Sequence, residues 1–250
     1  MDFTNKVVIV TGASSGIGAA SAILFAKHGA RLTLIGRDEQ RLQNVAEKCQ
    51  AASGLPPLCL RLDLTANGSC AEVITKTVAT FERIDVLVNC AAKMLIGSLF
   101  DDSIDTFDEM LDINLRVPYK LTHLALPYLI KTKGNIVNLH ATKYAKVVHG
   151  FLPFTITKSG LERFTRSAAV ELSSEGVRMN AVQPGLTKTN ILANLAMEKD
   201  EMEFAYGMLA SKMKVLDPEE VAKMVLFVAS DVCPNLNGAE IGLTGASSFL

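Results

Sequence analysis

Lys6-Val7-Val8-Ile9-Val10-Thr11-Gly12-Ala13-Ser14-Ser15-Gly16-Ile17-Gly18 is the stretch whose reading decides the fold. Its first half is a β-branched run, apolar on both faces, as a strand in the middle of a parallel sheet must be. Its second half places glycines where the chain leaves that strand and opens a helix. Glycines there let the backbone turn tightly and approach a pyrophosphate, and the helix N-terminus behind them offers free N–H groups and a positive dipole end. A glycine pattern alone is common, but its position after a strand and before a helix makes this one specific. Gly12, Ser14, Ser15, Gly16, Ile17 and Gly18 are therefore expected to cradle a phosphate-bearing ligand. The bland alternative is a tight turn with no ligand.

The same alternation continues to the end of the chain. Strands are expected at 6–10, 32–35, 58–64, 84–88, 135–139, 177–182 and 239–244. Helices are expected at 15–28, from Asp38 through Cys49, and at 69–82, 104–131, 154–174 and 218–230. Strand–helix alternation predicts parallel strands joined by right-handed crossovers, with helices on both faces. No linker or composition shift divides residues 1–250, so one doubly wound, three-layer α/β domain is the economical reading. The stretch 186–216 breaks the rhythm and holds Met197, Met202, Met208 and Met213. It reads as a substrate or lid segment, or else as helix packed on the domain or a partner.

Composition narrows the function. Hydrophobic residues make up 49% and charged residues 20%, which excludes a disordered chain. With 25 basic against 26 acidic residues and no basic block, nucleic acid is not the expected partner. The five cysteines lack any C-x-x-C pair, so neither a disulfide scaffold nor a metal site is expected. No apolar run reaches the roughly 18 residues of a membrane span, and Met1 to Lys6 shows no signal-peptide core. The expectation is a soluble, cytoplasmic protein without a membrane partner.

Thr11-Gly12-x-x-x-Gly16-x-Gly18 resembles the nucleotide-binding signature of the short-chain dehydrogenases/reductases, a Rossmann-type family. Asp63 after the third strand is similar to the acid that family members place near the adenine. Asn89-Cys90-Ala91-Ala92 stands where the family has Asn-Asn-Ala-Gly. Asp112-Ile113-Asn114-Leu115 resembles the segment carrying its catalytic asparagine. Pro184-Gly185 with Thr187 and Thr189 resembles the segment on the nicotinamide side. The resemblance covers essentially the whole chain. It implies a nicotinamide cofactor, oxidoreductase chemistry on a carbonyl or alcohol, and a homodimer or homotetramer through the helices near 104–131 and 154–174. An apolar 186–216 segment would favour a hydrophobic substrate.

For the cofactor, the end of the second strand is informative. NAD-preferring folds place an acid there to accept from the ribose hydroxyls. This chain has Gly36 followed by Arg37. Without a carboxylate, nothing repels a 2′-phosphate, and an arginine fork can pair with it. NADP(H) is therefore expected over NAD(H), unless Asp38 or Glu39 reaches the ribose instead.

The catalytic positions are anomalous. The family's tyrosine stands four residues before its lysine, and its serine about thirteen residues before the tyrosine. The lysine position is Lys158, which puts Phe154 at the tyrosine and Ala141 at the serine. Neither side chain has an exchangeable proton. Asn114 and Lys158 remain. General acid–base assistance is worth on the order of 10²–10⁴ in rate and an oxyanion donor on the order of 10²–10³. Three readings stay open. The chain is a non-catalytic NADP(H)-binding relative, a pseudoenzyme. Or it uses a substitute donor, with His140, Thr142 and His149 as candidates. Or the alignment is shifted and Tyr144 is the acid.

Overall fold

The computed structural model describes residues 1–141, 150–191 and 214–245. Seven strands alternate with helices: β1 (Val7–Thr11), α1 (Gly16–Lys27), β2 (Arg31–Gly36), α2 (Glu39–Ser53), β3 (Leu58–Arg61), α3 (Ser69–Phe81) and β4 (Val86–Asn89). There follow α4 (Asp105–Leu111), α5 (Val117–Thr132), β5 (Asn135–Leu139), α6 (Leu152–Leu172), β6 (Arg178–Pro184), α7 (Pro218–Ala229) and β7 (Glu240–Leu243). All are joined in one parallel sheet of order β3-β2-β1-β4-β5-β6-β7.

β1 carries the side-to-side logic. Val8 and Val10 point into one core, with Phe25 and Ala26 of α1, Leu42 of α2 and Val225 of α7. Ile9 points into the other, with Val73 of α3, Leu121 and Leu129 of α5 and Ala168 of α6. Alternation at period two thus serves both faces at once. β1 pairs with β2 on one side and β4 on the other, Ile9 standing opposite Thr33 and Leu87. The chain winds outward to β3 and then returns past β1. That reversal leaves a crevice at the carboxyl ends of β1 and β4, where such folds bind ligands.

Local signals behave as their chemistry requires. Asp38 caps α2 by accepting from the Arg41 N–H at 3.0 Å, and Asp217 with Glu220 forms a capping box on α7. Two expected elements differ. β3 stops at Arg61 because Asp63 turns the chain by accepting from the Thr65 N–H and hydroxyl. The expected helix 104–131 is broken by a π-helical turn at Asp112–Arg116. The 186–216 excursion leaves and returns at one point: Leu216 N–H donates to Leu186 and Lys188 N–H to Leu216. Its middle, 192–213, lies outside the described residues. Among the described residues no helix is long and apolar enough to cross a membrane.

Candidate active site

The turn after β1 is pressed from both sides. Gly12 has φ +66° and Gly16 has φ +53°, a region glycine enters without steric cost. A Cβ on Gly12 would stand 2.9 Å from the Ala91 Cα, and one on Gly18 only 2.3 Å from the Gly12 carbonyl oxygen. Thr11 Oγ1 accepts from the N–H groups of Cys90 and Ala91, each at 3.0 Å, which ties the turn to the end of β4. No side chain caps α1, and its first turn has no acid. Its free N–H groups and positive end therefore favour an anion.

This turn forms one wall of a cleft of about 410 Å³. Gly12, Ser14, Ser15, Gly16, Ile17, Arg37, Asp63 and Thr189 all line it, so these expected residues come together in space. Others stand behind the wall. Gly18 supports Gly12. Asn89 is buried and donates to Asn138 Oδ1 at 2.9 Å. Pro184 ends β6, Gly185 N–H donates to Leu243, and the Thr187 hydroxyl donates to Gly185. Residues not foreseen also line the cleft, among them Arg41, Lys93, Glu109 and Ile113. Arg41 sits one helical turn after Arg37, a spacing that could have marked it. Lys93 and Glu109 form an ion pair that joins distant chain segments, so no local signal exists for it.

The charges around Arg37 are already disposed. Asp38 caps α2 and pairs with Arg41 Nε at 3.1 Å, and Glu39 pairs with Arg61 at 3.3 Å. Arg37 itself makes no hydrogen bond or ion pair among the described residues. A Cβ on Gly36 would lie 2.9 Å from the Ser14 Cβ, so β2 has no room for a side chain at its end. The Asp63 carboxyl is held below the usual carboxylate range by the two hydrogen bonds from Thr65.

At the start of α6, Lys158 is buried and its ammonium donates to the Leu139 carbonyl at 2.9 Å. Burial lowers its pKa to about 8. The Phe154 ring lies one turn away, its centre 5.8 Å from Lys158 Nζ. Cys90 stands near this ammonium, and burial pushes its thiol up to about 12, so it is neutral. Asn114, in the π-helical turn, accepts from the Lys93 N–H and donates to the Lys93 carbonyl, both at 2.9 Å. It also donates to Thr157 Oγ1 at 3.2 Å. Thr157, unforeseen, in turn donates to the Phe154 carbonyl at 2.9 Å. A π-turn is a frequent way to aim one side chain inward.

His140 is buried, with Nε2 3.4 Å from Thr165 Oγ1. That hydroxyl already donates to Leu161 and accepts from Asn138 Nδ2. Its remaining lone pair makes His140 Nε2 the donor. The proton on Nε2 is thus aimed at α6. Ala141 is partly exposed. Thr142, Tyr144 and His149 lie outside the described residues.

Comparison with known proteins agrees with this geometry. A family model described as enoyl-(acyl carrier protein) reductase matches residues 12–245. The chain is 34% identical to a 3-oxoacyl-(acyl-carrier-protein) reductase of Thermotoga maritima, covering 98% of each chain. It is 31% identical to a meso-2,3-butanediol dehydrogenase of Serratia marcescens, covering 99% of this chain and 96% of that one. A crystal structure of a short-chain dehydrogenase/reductase of unknown function from Caenorhabditis elegans, with cofactor, superposes with a TM-score of 0.92. That protein is 31% identical, over 99% of this chain and 97% of its own. With a match this long in sequence and in fold, the protein belongs to the short-chain dehydrogenase/reductase family.

Proposed function

We propose that this protein binds NADP(H) in preference to NAD(H) and turns over little or nothing by the usual carbonyl reductase route. Family membership carries NAD(P) binding with it. The cleft fits such a group: its turn packs against Ala91, Thr189 and itself with no room for a Cβ at Gly12, Gly16 or Gly18, and the uncapped start of α1 lies at that turn. Ser14 to Gly18 would hold the pyrophosphate, Asp63 the adenine end, and Arg37 with Arg41 the 2′-phosphate. Asp38 and Glu39 are engaged elsewhere, which supports the phosphate over a free ribose hydroxyl at this point. Thr189, with Pro184, Gly185 and Thr187 behind it, would border the nicotinamide end. When bound, the nicotinamide supplies or accepts a hydride.

The observation that carries the catalytic half is the pair Phe154 and Lys158. Reduction of a carbonyl leaves negative charge on oxygen, which needs a proton at hydrogen-bond distance. Phe154 and Ala141 offer none. Lys158, whose ammonium donates to the Leu139 carbonyl, would hold a ribose, and Asn114, which bridges the Lys93 backbone and α6, would support it, in place of the catalytic roles the family resemblance implies.

A second reading has its own support, because the relatives above include a named reductase and a named dehydrogenase. It makes the chain an NADP(H)-dependent oxidoreductase on a hydrophobic ketone or alcohol, with the 186–216 segment as lid and a donor from His140, Thr142 or His149. Homodimer or homotetramer formation and a cytoplasmic setting belong to both readings. The test is twofold. NADPH and NADH are titrated by fluorescence or thermal shift, and tighter NADH binding overturns the cofactor half. Wild type is then assayed with NADPH on a panel of ketones and aldehydes; rapid turnover overturns the first reading in favour of the second.

A further inference from the structure

Among the described residues, those lining the cleft carry three cations, Arg37, Arg41 and Lys93, against three carboxylates, Asp38, Asp63 and Glu109. A pyrophosphate would therefore enter a cleft whose charges already balance. Two of the carboxylates are fixed in place. Asp38 accepts from the Arg41 N–H as the cap of α2, and Asp63 accepts from the Thr65 N–H and hydroxyl. Glu109 is held differently. Among the described residues its side chain has one partner, the Lys93 ammonium. The Glu109 side chain is 49% exposed and can turn to water, whereas Lys93 is only 20% exposed and lies against the cleft wall.

Lys93 leaves the chain beside the glycine turn, from a backbone that cannot move. Asn114 clamps it on both sides, accepting from its N–H and donating to its carbonyl, each at 2.9 Å, and is itself tied to Thr157 of α6. Ala91, two residues earlier, packs on Gly12, where an added Cβ would stand 2.9 Å from the Ala91 Cα. The lysine charge is felt inside the cleft. After the two hydrogen bonds from Thr65, the nearby Arg37 and Lys93 charges also hold the Asp63 carboxyl down. Only a side chain has to swing for this ammonium to change partner. Glu109 stands on an acidic helix, with Asp105 four residues before it and Asp112 three after. Like charges at those spacings repel. Asp112 is paired with Arg116, and Lys93 neutralises Glu109 in the same way.

We propose that Lys93 is a pyrophosphate-binding residue and that Glu109 is its competitor within the fold: one ammonium is shared between the α4 carboxylate and the phosphates of the ligand. A half-exposed ion pair is weak in water. A pyrophosphate offers several charged oxygens, and hydrogen bonds to such groups are the strong ones. When Lys93 passes to the phosphates, Glu109 turns to solvent and the cleft gains one uncompensated positive charge for the ligand. Glu109 thus sets how tightly the cleft takes any ligand with a pyrophosphate. It does not separate NADP(H) from NAD(H), a task left to Arg37 and Arg41 at the 2′-phosphate. This role rests on the cofactor half of the proposed function and extends it to two residues of this chain.

Isothermal titration calorimetry with NADPH, NADH and ADP-ribose tests it, with circular dichroism as the fold control. ADP-ribose has the pyrophosphate but neither the nicotinamide nor the 2′-phosphate. Lys93→Met is expected to weaken all three ligands ~10-fold, and Lys93→Arg to keep them within about threefold of wild type. Glu109→Gln is expected to tighten all three ~5-fold. That gain should fall below about twofold in the Lys93→Met background, because the carboxylate acts through the lysine. A Lys93→Met protein with a native spectrum and wild-type affinities overturns the role of Lys93 and leaves the cofactor reading standing. A loss confined to NADPH puts Lys93 at the 2′-phosphate and overturns the pyrophosphate assignment. If Lys93→Met does not fold, Glu109→Gln decides alone, and unchanged affinities there overturn the competition. A Glu109→Gln gain of equal size with and without Lys93 overturns it too. Wild type that binds none of the three ligands overturns this role and the cofactor reading together.

Discussion

Lys158 Nζ lies 5.8 Å from the centre of the Phe154 ring and donates at 2.9 Å to the Leu139 carbonyl. A cation over an aromatic face is held by the ring quadrupole. The ammonium is thus satisfied by a ring and a carbonyl, and the side chain beside it at position 154 carries no hydroxyl.

Restoring the phenol and the hydroxyl should restore chemistry. Ala141→Ser/Phe154→Tyr is expected to raise NADPH-dependent reduction of some ketone or aldehyde by on the order of 10²–10⁴. Each single substitution should give much less than its share, because both groups serve one oxygen. Initial rates of NADPH oxidation for the four proteins check this. Equal rates across the set would show that these two positions do not limit turnover.

The buried ammonium of Lys158 sets a pH dependence of stability. Its folded pKa of about 8 lies below the ordinary lysine value, so the folded state disfavours the charge. Below pH 8 the lysine is charged in both states and the full penalty of about 3 kcal/mol applies. Between 8 and the unfolded value the folded state holds fewer protons, so stability rises with pH relative to a chain lacking the group. The difference in unfolding free energy between wild type and Lys158→Met, by urea titration, should move in favour of wild type across that window.

Arg37→Ser should weaken NADPH binding by about 1.5–3 kcal/mol, the range of a hydrogen bond to a charged group, while changing NADH affinity little. Fluorescence titration of both cofactors reads the ratio directly. An equal loss for the two would place Arg37 on a group they share.

Gly18→Ala should be poorly tolerated even though alanine favours helices. Its Cβ would meet the Gly12 carbonyl at 2.3 Å, and moving that backbone costs about 1–3 kcal/mol. The melting temperature should fall, and NADPH affinity should fall with it, because the displaced turn is the one proposed to hold the pyrophosphate.

Asn114→Ala should lower stability by about 2–4 kcal/mol, because it strands the Lys93 N–H and removes two further hydrogen bonds. Urea unfolding measures it. A stable Asn114→Ala protein would argue that the side chain is kept for a ligand and not for the bridge.

Much of this was legible in the residue string. β1, the glycine turn and α1 follow from a β-branched run and three glycines, each a local rule of backbone geometry. The start of α2 was likewise written in Asp38, whereas the capping box of Asp217 and Glu220 on α7 emerged with the structure. The break at Asp112–Arg116 was not, because its residues read as ordinary helix and the π-turn exists to bring Asn114 onto Lys93 and Thr157. The end of β3 was missed for a similar reason: Leu62 and Leu64 keep the strand period, while the Asp63–Thr65 hydrogen bonds turn the chain.

The doubly wound sheet, the glycine turn after β1 and the lack of an exchangeable side-chain proton at positions 141 and 154 follow from the residue string, since alternation, glycine placement and the absence of a polar atom are properties of the residues. Only the tertiary structure decided what surrounds them. It committed Asp38 and Glu39 to other partners, turned His140 toward Thr165, paired Lys93 with Glu109 across the cleft, and left Leu99 and Phe100 bare. Those outcomes depend on which distant segments meet, and such meetings are fixed by packing the whole sheet and its helices at once.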